Sequence, residues 1–405
     1  MDFNSNPSTI MHIDLNSCFA TIEQQANPLY RGKPIVVAAY TSGNGCILAP
    51  SIEAKRFGIK TGARLREAKI LCPKLIALTP DPPKYRHVHL KLRRILKDYT
   101  NDFFPKSIDE FVLDLTGYPA LGLNTMHGVG AQIKKRIKEE IGEWLTVSVG
   151  IGPSRFIAKT ASSYKKPDGL IEINVNNFLD VYKSLSLVDL HGINVRNEIR
   201  LNSVGIRTVM DFYQAPLWKL KAAFSSIVGY YWFLRLRGYE IDSVEFSRRS
   251  FGNSIALASN TNLLSILQKL CEKTGSRVRK NGYQTGGVHL SLSFKDHSYW
   301  HKSEKLNRAI FDSRDIYKNV LRIFNLCKEN EKPIHIMAIT CFNLVKVENI
   351  QEELFENVEK KKAFVDKIDG LNNKWGDYTV ITGNAIKARD FLQDRIAFGG
   401  VSELK

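Results

Sequence analysis

No two of the six cysteines stand in a Cys-x-x-Cys pair. They lie at 18, 46, 72, 271, 327 and 341, spacings that make neither a zinc site nor a disulfide framework. Scattered thiols of this kind fit a reducing cytoplasm. Long apolar runs are also missing. A stretch such as Ile35-Val-Val-Ala-Ala39 is far too short to span a bilayer, and residues 1–9 are polar with no apolar signal core, so no membrane partner is expected. Repeats and low-complexity segments are absent. Acid is scarce relative to base: 41 Asp and Glu face 58 Lys and Arg, a net charge of +17. That excess favours a polyanionic partner such as nucleic acid, with a generally basic surface as the plainer alternative. What is present is a chain of 405 residues, 43% hydrophobic, long enough for two to four folded domains.

Residues 10–165 read as mixed α/β. Strands are expected at 10–14, 34–39, 107–115 and 146–150, and helices at about 17–25, 51–57, 65–71, 84–100 and 154–163. The runs at 10–14, 107–115 and 146–150 suit neighbouring strands of one sheet. Lys165-Lys-Pro-Asp-Gly169 is a turn and a plausible domain edge. Residues 170–240 read as mostly helical, and 239–246 as a linker. Beyond it come strand, helix, strand, strand, helix and strand, with strands at 248–257, 287–294, 298–301 and 334–340 and helices at 261–281 and 304–327. This is the order of a small α/β sandwich. A charged tail follows from 347 with one helix at about 356–374.

Three acids carry the chemistry. Asp14 ends the run Ile10-Met-His-Ile-Asp14, and Asp109 and Glu110 stand together in Ser107-Ile-Asp-Glu-Phe-Val-Leu. Carboxylates in buried strands are costly unless something neutralises them, and a pair of Mg²⁺ ions would do so while equipping the site for phosphoryl transfer. Adjacent residues in a regular strand face opposite ways, so both acids serve one site only if the backbone bends near 107–110. The alternative is that they are turn residues with solvated side chains. Asn16 or Ser17 is a candidate cap for the helix that follows Asp14, and its free N–H groups would suit a triphosphate. Lys55 and Lys159 could reach phosphates as point charges, although each taken singly reads more readily as a surface lysine. Phe19, in isolation, reads as core.

The ordered set Asp14-Leu-Asn-Ser-Cys-Phe19-Ala, Gly32-Lys-Pro-Ile-Val-Val, Glu53-Ala-Lys-Arg-Phe-Gly58, Ser107-Ile-Asp-Glu-Phe, Val149-Gly-Ile151 with Ala158-Lys159, and Lys166-Pro-Asp-Gly169 resembles the Y-family, lesion-bypass DNA polymerases. It covers residues from about 10 to about 345. The resemblance implies an α/β (α+β) right-hand-like architecture: palm at 1–17 and 81–165, fingers at 18–80, and a thumb with helix–hairpin–helix-like turns at 166–240. A linker at 241–246, a little finger at 247–346 and a tail at 347–405 complete it. It implies that Asp14 and Asp109 bridge two Mg²⁺ ions, that Glu110 ligates one of them, and that the Leu15 carbonyl is a further ligand. Asn16, Ser17, Cys18, Phe19, Lys55 and Lys159 fall at nucleotide-binding positions, Phe19 as a gate against ribose and Lys159 on the triphosphate.

The sequence also departs from the family. Ile52 and Lys55 replace the Tyr and Arg of the bacterial polymerase IV type. The stretch Gly45-Cys-Ile-Leu-Ala49 is closer to the polymerase V catalytic subunit, which leaves accessory mutagenesis proteins as possible partners. In His191-Gly-Ile-Asn194, Asn194 stands for a usual Gly, whereas Gly205-Ile-Arg-Thr with Asp211 fits better. Gly192, Asn194, Gly205, Arg248, Arg249, Arg277 and Arg279 are candidate DNA contacts. Gln351-Glu-Glu-Leu354-Phe355 resembles a peptide for the bacterial sliding clamp. The expectation is a monomeric translesion polymerase acting on primer–template DNA and dNTPs, with low fidelity and no proofreading. A non-catalytic DNA-binding relative that recruits repair partners, and a palm-type nucleotidyl cyclase, are the rivals.

Overall fold

The computed structural model describes residues 1–118, 125–242, 248–257, 260–329, 332–347, 358–376 and 378–391. The chain divides into two compact units, Met1–Val244 and Glu245–Asp394.

The first unit is organised by a five-stranded sheet. Its central strand is β1 (Ile10–Leu15), all six residues of which are buried. The chain then runs through α1 (Cys18–Ala26), β2 (Ile35–Ala38), β3 (Ile47–Pro50), α2 (Ile52–Arg56), α3 (Leu65–Leu71) and β4 (Ile76–Leu78). Next come α4 (Pro82–Lys97), β5 (Phe103–Pro105), β6 (Glu110–Asp114), α5 (Met126–Glu140), β7 (Val147–Gly152), α6 (Arg155–Tyr164) and β8 (Leu170–Glu172). The main sheet has the order β5-β6-β1-β7-β8, and β2–β4 make a separate three-stranded sheet, β3-β2-β4. β1 is antiparallel to both neighbours, so the runs at 10–14, 107–115 and 146–150 are adjacent.

Each face of the main sheet has its own cover. Met11, Ile13, Leu15, Phe111, Leu113, Val149 and Ile151 share a core with the apolar side of α4, where Tyr85, Val88, Leu92, Ile95 and Leu96 recur at helical spacing. Asp81 caps α4 by accepting from Lys84 N at 3.2 Å, with Pro82 in the first turn. The other face receives α6, capped by Ser154. A Cβ on Gly150 would lie 2.1 Å from both the Ala158 carbonyl oxygen and the Ser162 nitrogen. Only glycine lets the helix backbone come this close.

Helices α7 (Phe178–Ser184), α8 (Val195–Ser203), α9 (Val209–Gln214), α10 (Leu217–Phe224) and α11 (Val228–Arg235) follow. They build a core around Tyr182, Phe212 and Trp232.

The second unit is a four-stranded antiparallel sheet with the order β11-β10-β12-β9. Its elements are β9 (Ser250–Ala256), α12 (Leu263–Lys280), β10 (Tyr283–Phe294), β11 (Tyr299–Ile310), α13 (Ser313–Asn325) and β12 (Ile334–Lys346). α14 (Val358–Trp375) and a 3₁₀ segment (Gly383–Phe391) come after. Val288, Leu290, Leu292, Met337, Ile339 and Cys341 form its core with α12 and α13. Ala388 joins the same core, and the buried Lys269 ammonium donates to the Ala388 carbonyl at 2.9 Å and lies 4.4 Å from the Tyr378 ring centroid.

Two expectations are corrected, and one helix is added. The helix expected at 304–327 is strand as far as Ile310, and helix begins only at Ser313. The strand expected from Ser107 starts at Glu110. The helix Met126–Glu140 was not foreseen, because Gly128 and Gly130 sit in its first turns. The clamp-like residues Gln351, Leu354 and Phe355 lie outside the described residues.

Candidate active site

Asp14 lies directly across from Glu110 on β6 and from Ser148 on β7. Facing residues of a ladder share a side of the sheet, so His12, Asp14 and Glu110 point to the side that α6 covers. Asp109 reaches the same place by a different route. The backbone bends at 107–109 before β6 begins, with Lys106 N and Ser107 N both donating to the Glu110 carbonyl and Leu15 N donating to the Asp109 carbonyl at 2.9 Å. The strand pleat is broken there, and Asp109 and Glu110 line one cleft together with Asp14. The cleft has a volume of about 550 Å³, and its walls include Leu15 to Cys18, Leu48, Ile52, Lys55, Arg56, Lys166 and Pro167.

Cations converge on these acids. Lys159 Nζ lies 2.8 Å from Asp14 Oδ2 and 2.6 Å from Glu110 Oε1, and Lys166 Nζ lies 2.7 Å from Asp14 Oδ2. Asp109 accepts from Ser107 Oγ at 2.5 Å. Burial, reinforced by the Asp14 and Glu110 charges, pushes the Asp109 carboxyl up to about 6. Burial also opposes ionisation of Glu110, but the His12 ring and the Lys159 ammonium outweigh it and hold that carboxyl well below the usual range. Burial would lower Lys159, yet Asp14 and Glu110 more than compensate and keep it charged. Lys55 is lowered by burial and by the nearby Lys166, and burial lowers His12.

The donor set suits a hard divalent cation: carboxylate oxygens beside a backbone carbonyl, already attracting positive charge. No group of three His, Cys, Asp or Glu side chains among the described residues is gathered in ligating geometry. Asp14 and Glu110 turn instead toward the lysines. The start of α1 has a matching gap. Ser17 is left-handed (φ 50°), makes no side-chain cap, and its buried Oγ has no partner among the described atoms.

Several predicted residues have other tasks. Asn16 does not cap α1. Its amide donates to Ser148 Oγ at 2.9 Å, and its carbonyl oxygen accepts from Thr146 Oγ1 at 3.1 Å and Asp168 N at 2.8 Å. It thereby ties the Lys166 loop to the end of β1. Phe19 is fully buried and stacked on Tyr85 at 4.4 Å, behind a wall to which Cys18 contributes. Asn194 caps α8, accepting from Asn197 N at 2.9 Å, and Gly192 and Gly205 hold positive φ of 99° and 74°.

The basic residues of the second unit divide in the same way. Arg249 is exposed, and Arg248 lies over the Phe251 ring at 4.9 Å. Arg277 donates to the Gly252 carbonyl at 2.9 Å. Arg279 is committed to a two-pronged pair with Asp369 at 2.7 and 2.8 Å, because α14 packs where an open basic face was expected. Lys166 and His12 were not singled out by the sequence. Lys166 stands in a Lys-Pro-Asp-Gly turn, which reads as punctuation until the fold brings it to Asp14.

The family model described as "impB/mucB/samB family" matches residues 13–163, and the model of that family's C-terminal domain matches residues 246–354. The chain is 31% identical over 390 residues to DNA polymerase IV of Moorella thermoacetica, covering 93% of this chain and 96% of the relative. It is 29% identical over 395 residues to DNA polymerase IV of Pelotomaculum thermopropionicum, covering 95% and 97%. Among solved structures, a Y-family DNA polymerase chimera, Dbh-Dpo4(243-245)-Dbh, superimposes with a TM-score of 0.72 at 24% identity, over 83% of this chain and 99% of that one.

Proposed function

Because the chain belongs to the impB/mucB/samB family, the Y-family of lesion-bypass DNA polymerases, we propose that Asp14, Asp109 and Glu110 are the catalytic acids of its template-directed DNA synthesis. The reaction joins a primer 3′-hydroxyl to the α-phosphate of a dNTP and releases pyrophosphate. Asp14, Asp109, Glu110 and the Leu15 carbonyl would hold a pair of Mg²⁺ ions. When bound, these ions lower the pKa of the attacking hydroxyl and neutralise charge on the attacking and leaving oxygens.

The rest falls to the chain's own side chains. Lys159 and Lys166 are point charges within reach of both the acids and an incoming triphosphate, and Lys55 adds a third on the opposite wall. The Ser17 hydroxyl and the first N–H groups of α1 offer donors for phosphate oxygens. Asn16 fixes the loop that presents Lys166. Cys18, backed by the Phe19–Tyr85 stack, sets the wall against which a sugar would rest. Phe19→Ala is expected to admit ribonucleotides, and unchanged discrimination would make Phe19 core alone.

The division into palm, fingers, thumb and little finger applies to 1–17 with 81–165, 18–80, 166–240 and 247–346. The short finger elements would enclose a nascent base pair loosely, so we infer low fidelity. Arg248, Arg249 and Arg277 would meet the DNA backbone without reading sequence. Gln351, Leu354 and Phe355 would dock on a sliding clamp in the cytoplasm, and changing Leu354 and Phe355 to Ala is expected to remove clamp stimulation while clamp-free extension continues.

One observation supports this reading above the others: three carboxylates, from β1, β6 and the bend before β6, line one cleft beside two lysine ammonium groups. Primer extension with Asp109→Ala tests it. We expect a loss of at least about a thousandfold, in line with several kcal/mol of transition-state stabilisation. Near-normal extension would remove Asp109 from the site.

A further inference from the structure

We propose that His12 is a positioning residue for the Glu110 carboxylate, restraining it beside the place where it would take up a divalent cation. The inference rests on Glu110 being a metal-holding acid, as read above.

His12 is 2% exposed and sits on β1 two residues before Asp14, so its ring lies on the same side of the sheet as both acids. Its Nε2 is 3.6 Å from Glu110 Oε2, and its Nδ1 is 3.1 Å from Ser162 Oγ. Ser162 holds one nitrogen by a hydrogen bond, and the carboxylate faces the other at ion-pair rather than hydrogen-bond distance. The ring's surroundings restrain it further. His12 is paired with Gly150 on β7, where the backbone of α6 presses in and brings Ser162 over the imidazole. The single Ser162 hydroxyl hydrogen is shared between His12 Nδ1 and the Lys159 carbonyl, 2.8 Å away; when it goes to Nδ1, the ring hydrogen stands on Nε2 and is directed at the carboxylate.

The two oxygens of Glu110 are therefore treated differently. Oε1 meets Lys159 at 2.6 Å, but that lysine also serves Asp14 and sits on a flexible stem. Oε2 faces a buried, braced ring. When Lys159 moves toward a triphosphate, His12 is the contact that remains, and it restrains the carboxylate. His12 is not among the residues lining the cleft, so it acts through Glu110. Groups that brace a ligating carboxylate are worth about 10–100-fold in metal affinity or activity.

The test is Mn²⁺ binding to the full chain without DNA, followed by the electron spin resonance of free Mn²⁺, with thermal melts run in parallel. His12→Ala is expected to weaken binding about tenfold, and His12→Gln, which can still donate to the carboxylate, to recover most of it. In primer extension the Mg²⁺ concentration for half-maximal rate should rise by the same factor, while the rate at saturating Mg²⁺ changes far less. Ser162→Ala, which releases the ring without removing it, should shift binding in the same direction by a smaller factor. It carries the test if His12→Ala does not fold. Wild-type Mn²⁺ affinity in the His12 and Ser162 variants, with a loss in Glu110→Ala, would reduce His12 to a core residue and leave Glu110 in place. Unchanged binding in Glu110→Ala would instead remove the ligand role of Glu110 and this inference with it.

Discussion

The two large sheets of this protein invite comparison. The five-stranded sheet of the first unit is covered on both faces, and its central strand is buried throughout. Within the second unit, the described residues cover the four-stranded sheet on one face only. Its other side presents Ser250, Gly252 and Ser254 from β9, His289, Ser291 and Ser293 from β10, and Tyr299, His301 and Ser303 from β11, each at least partly exposed. Both sheets are largely antiparallel, yet one gathers carboxylates at the end of a covered central strand, whereas the other carries most of its charge on the edge strand β11, with Lys305 on the open face. A covered sheet can hold carboxylates at its end because lysines and a histidine meet them, and desolvation gives each contact weight. An open face of serines, histidines, a tyrosine and a lysine gives little to a small ligand but suits broad contact with a backbone of regular charge.

The difference can be broken most directly at the acids. Asp14→Asn should cost primer extension at least about a thousandfold with little change in melting temperature, because it removes charge and keeps shape. A comparable loss from Ser291→Ala on the open sheet would contradict the contrast. The second test exchanges glycines. Gly150→Ala forces a Cβ to 2.1 Å from the backbone of α6 and should destabilise the first unit by about 3 kcal/mol. Gly252→Ala, on the open sheet, meets the Thr340 hydroxyl at 2.9 Å, the Ile339 carbonyl at 3.1 Å and the Thr340 Cβ at 3.6 Å, and should cost about 1 kcal/mol. Denaturant unfolding of both variants measures the gap.

The third test concerns arginines. Arg279→Ala breaks the pair with Asp369 and should cost about 2 kcal/mol, discounted for the pair's partial exposure, without altering the salt dependence of DNA binding. Arg249→Ala should do the reverse, lowering the salt slope by about one. The smallest effect concerns pH. A folded carboxyl titrating near 6 binds protons more tightly than the unfolded chain does. The stability contributed by Asp109 in the metal-free protein is therefore present below the ordinary carboxylate pKa and lost as pH rises through about 6. Divalent cation binding should show the opposite trend, weakening as pH falls below 6, and calorimetric titration across pH 5–7 would reveal it.

The neighbouring strands of the first sheet were legible because each short run is rich in β-branched and other apolar residues. Asp14, Asp109 and Glu110 were legible because carboxylates in such runs demand an explanation. β11 was misread beyond His301 because an edge strand with one wet face, Lys302-Ser-Glu-Lys-Leu-Asn-Arg, carries no regular apolar alternation. α5 was missed although Gly130 is there to admit Leu170 and Val149 against the helix. Lys166 and His12 were invisible for a different reason. Each gains its meaning from a partner far away in sequence, and no local pattern encodes a distance in space.

The ammonium of Lys269 has a practical consequence for anyone who shortens this chain. It lies in the interior of the second unit, where the Ala388 carbonyl and the Tyr378 ring help to satisfy it. Cutting the chain before residue 358, the natural way to discard the tail, withdraws the Ala388 carbonyl and the Tyr378 ring at once from a cation in the interior of the domain. A shortened protein that loses DNA synthesis would then be reporting a damaged domain rather than a missing docking peptide, and point changes in the tail are the cleaner instrument.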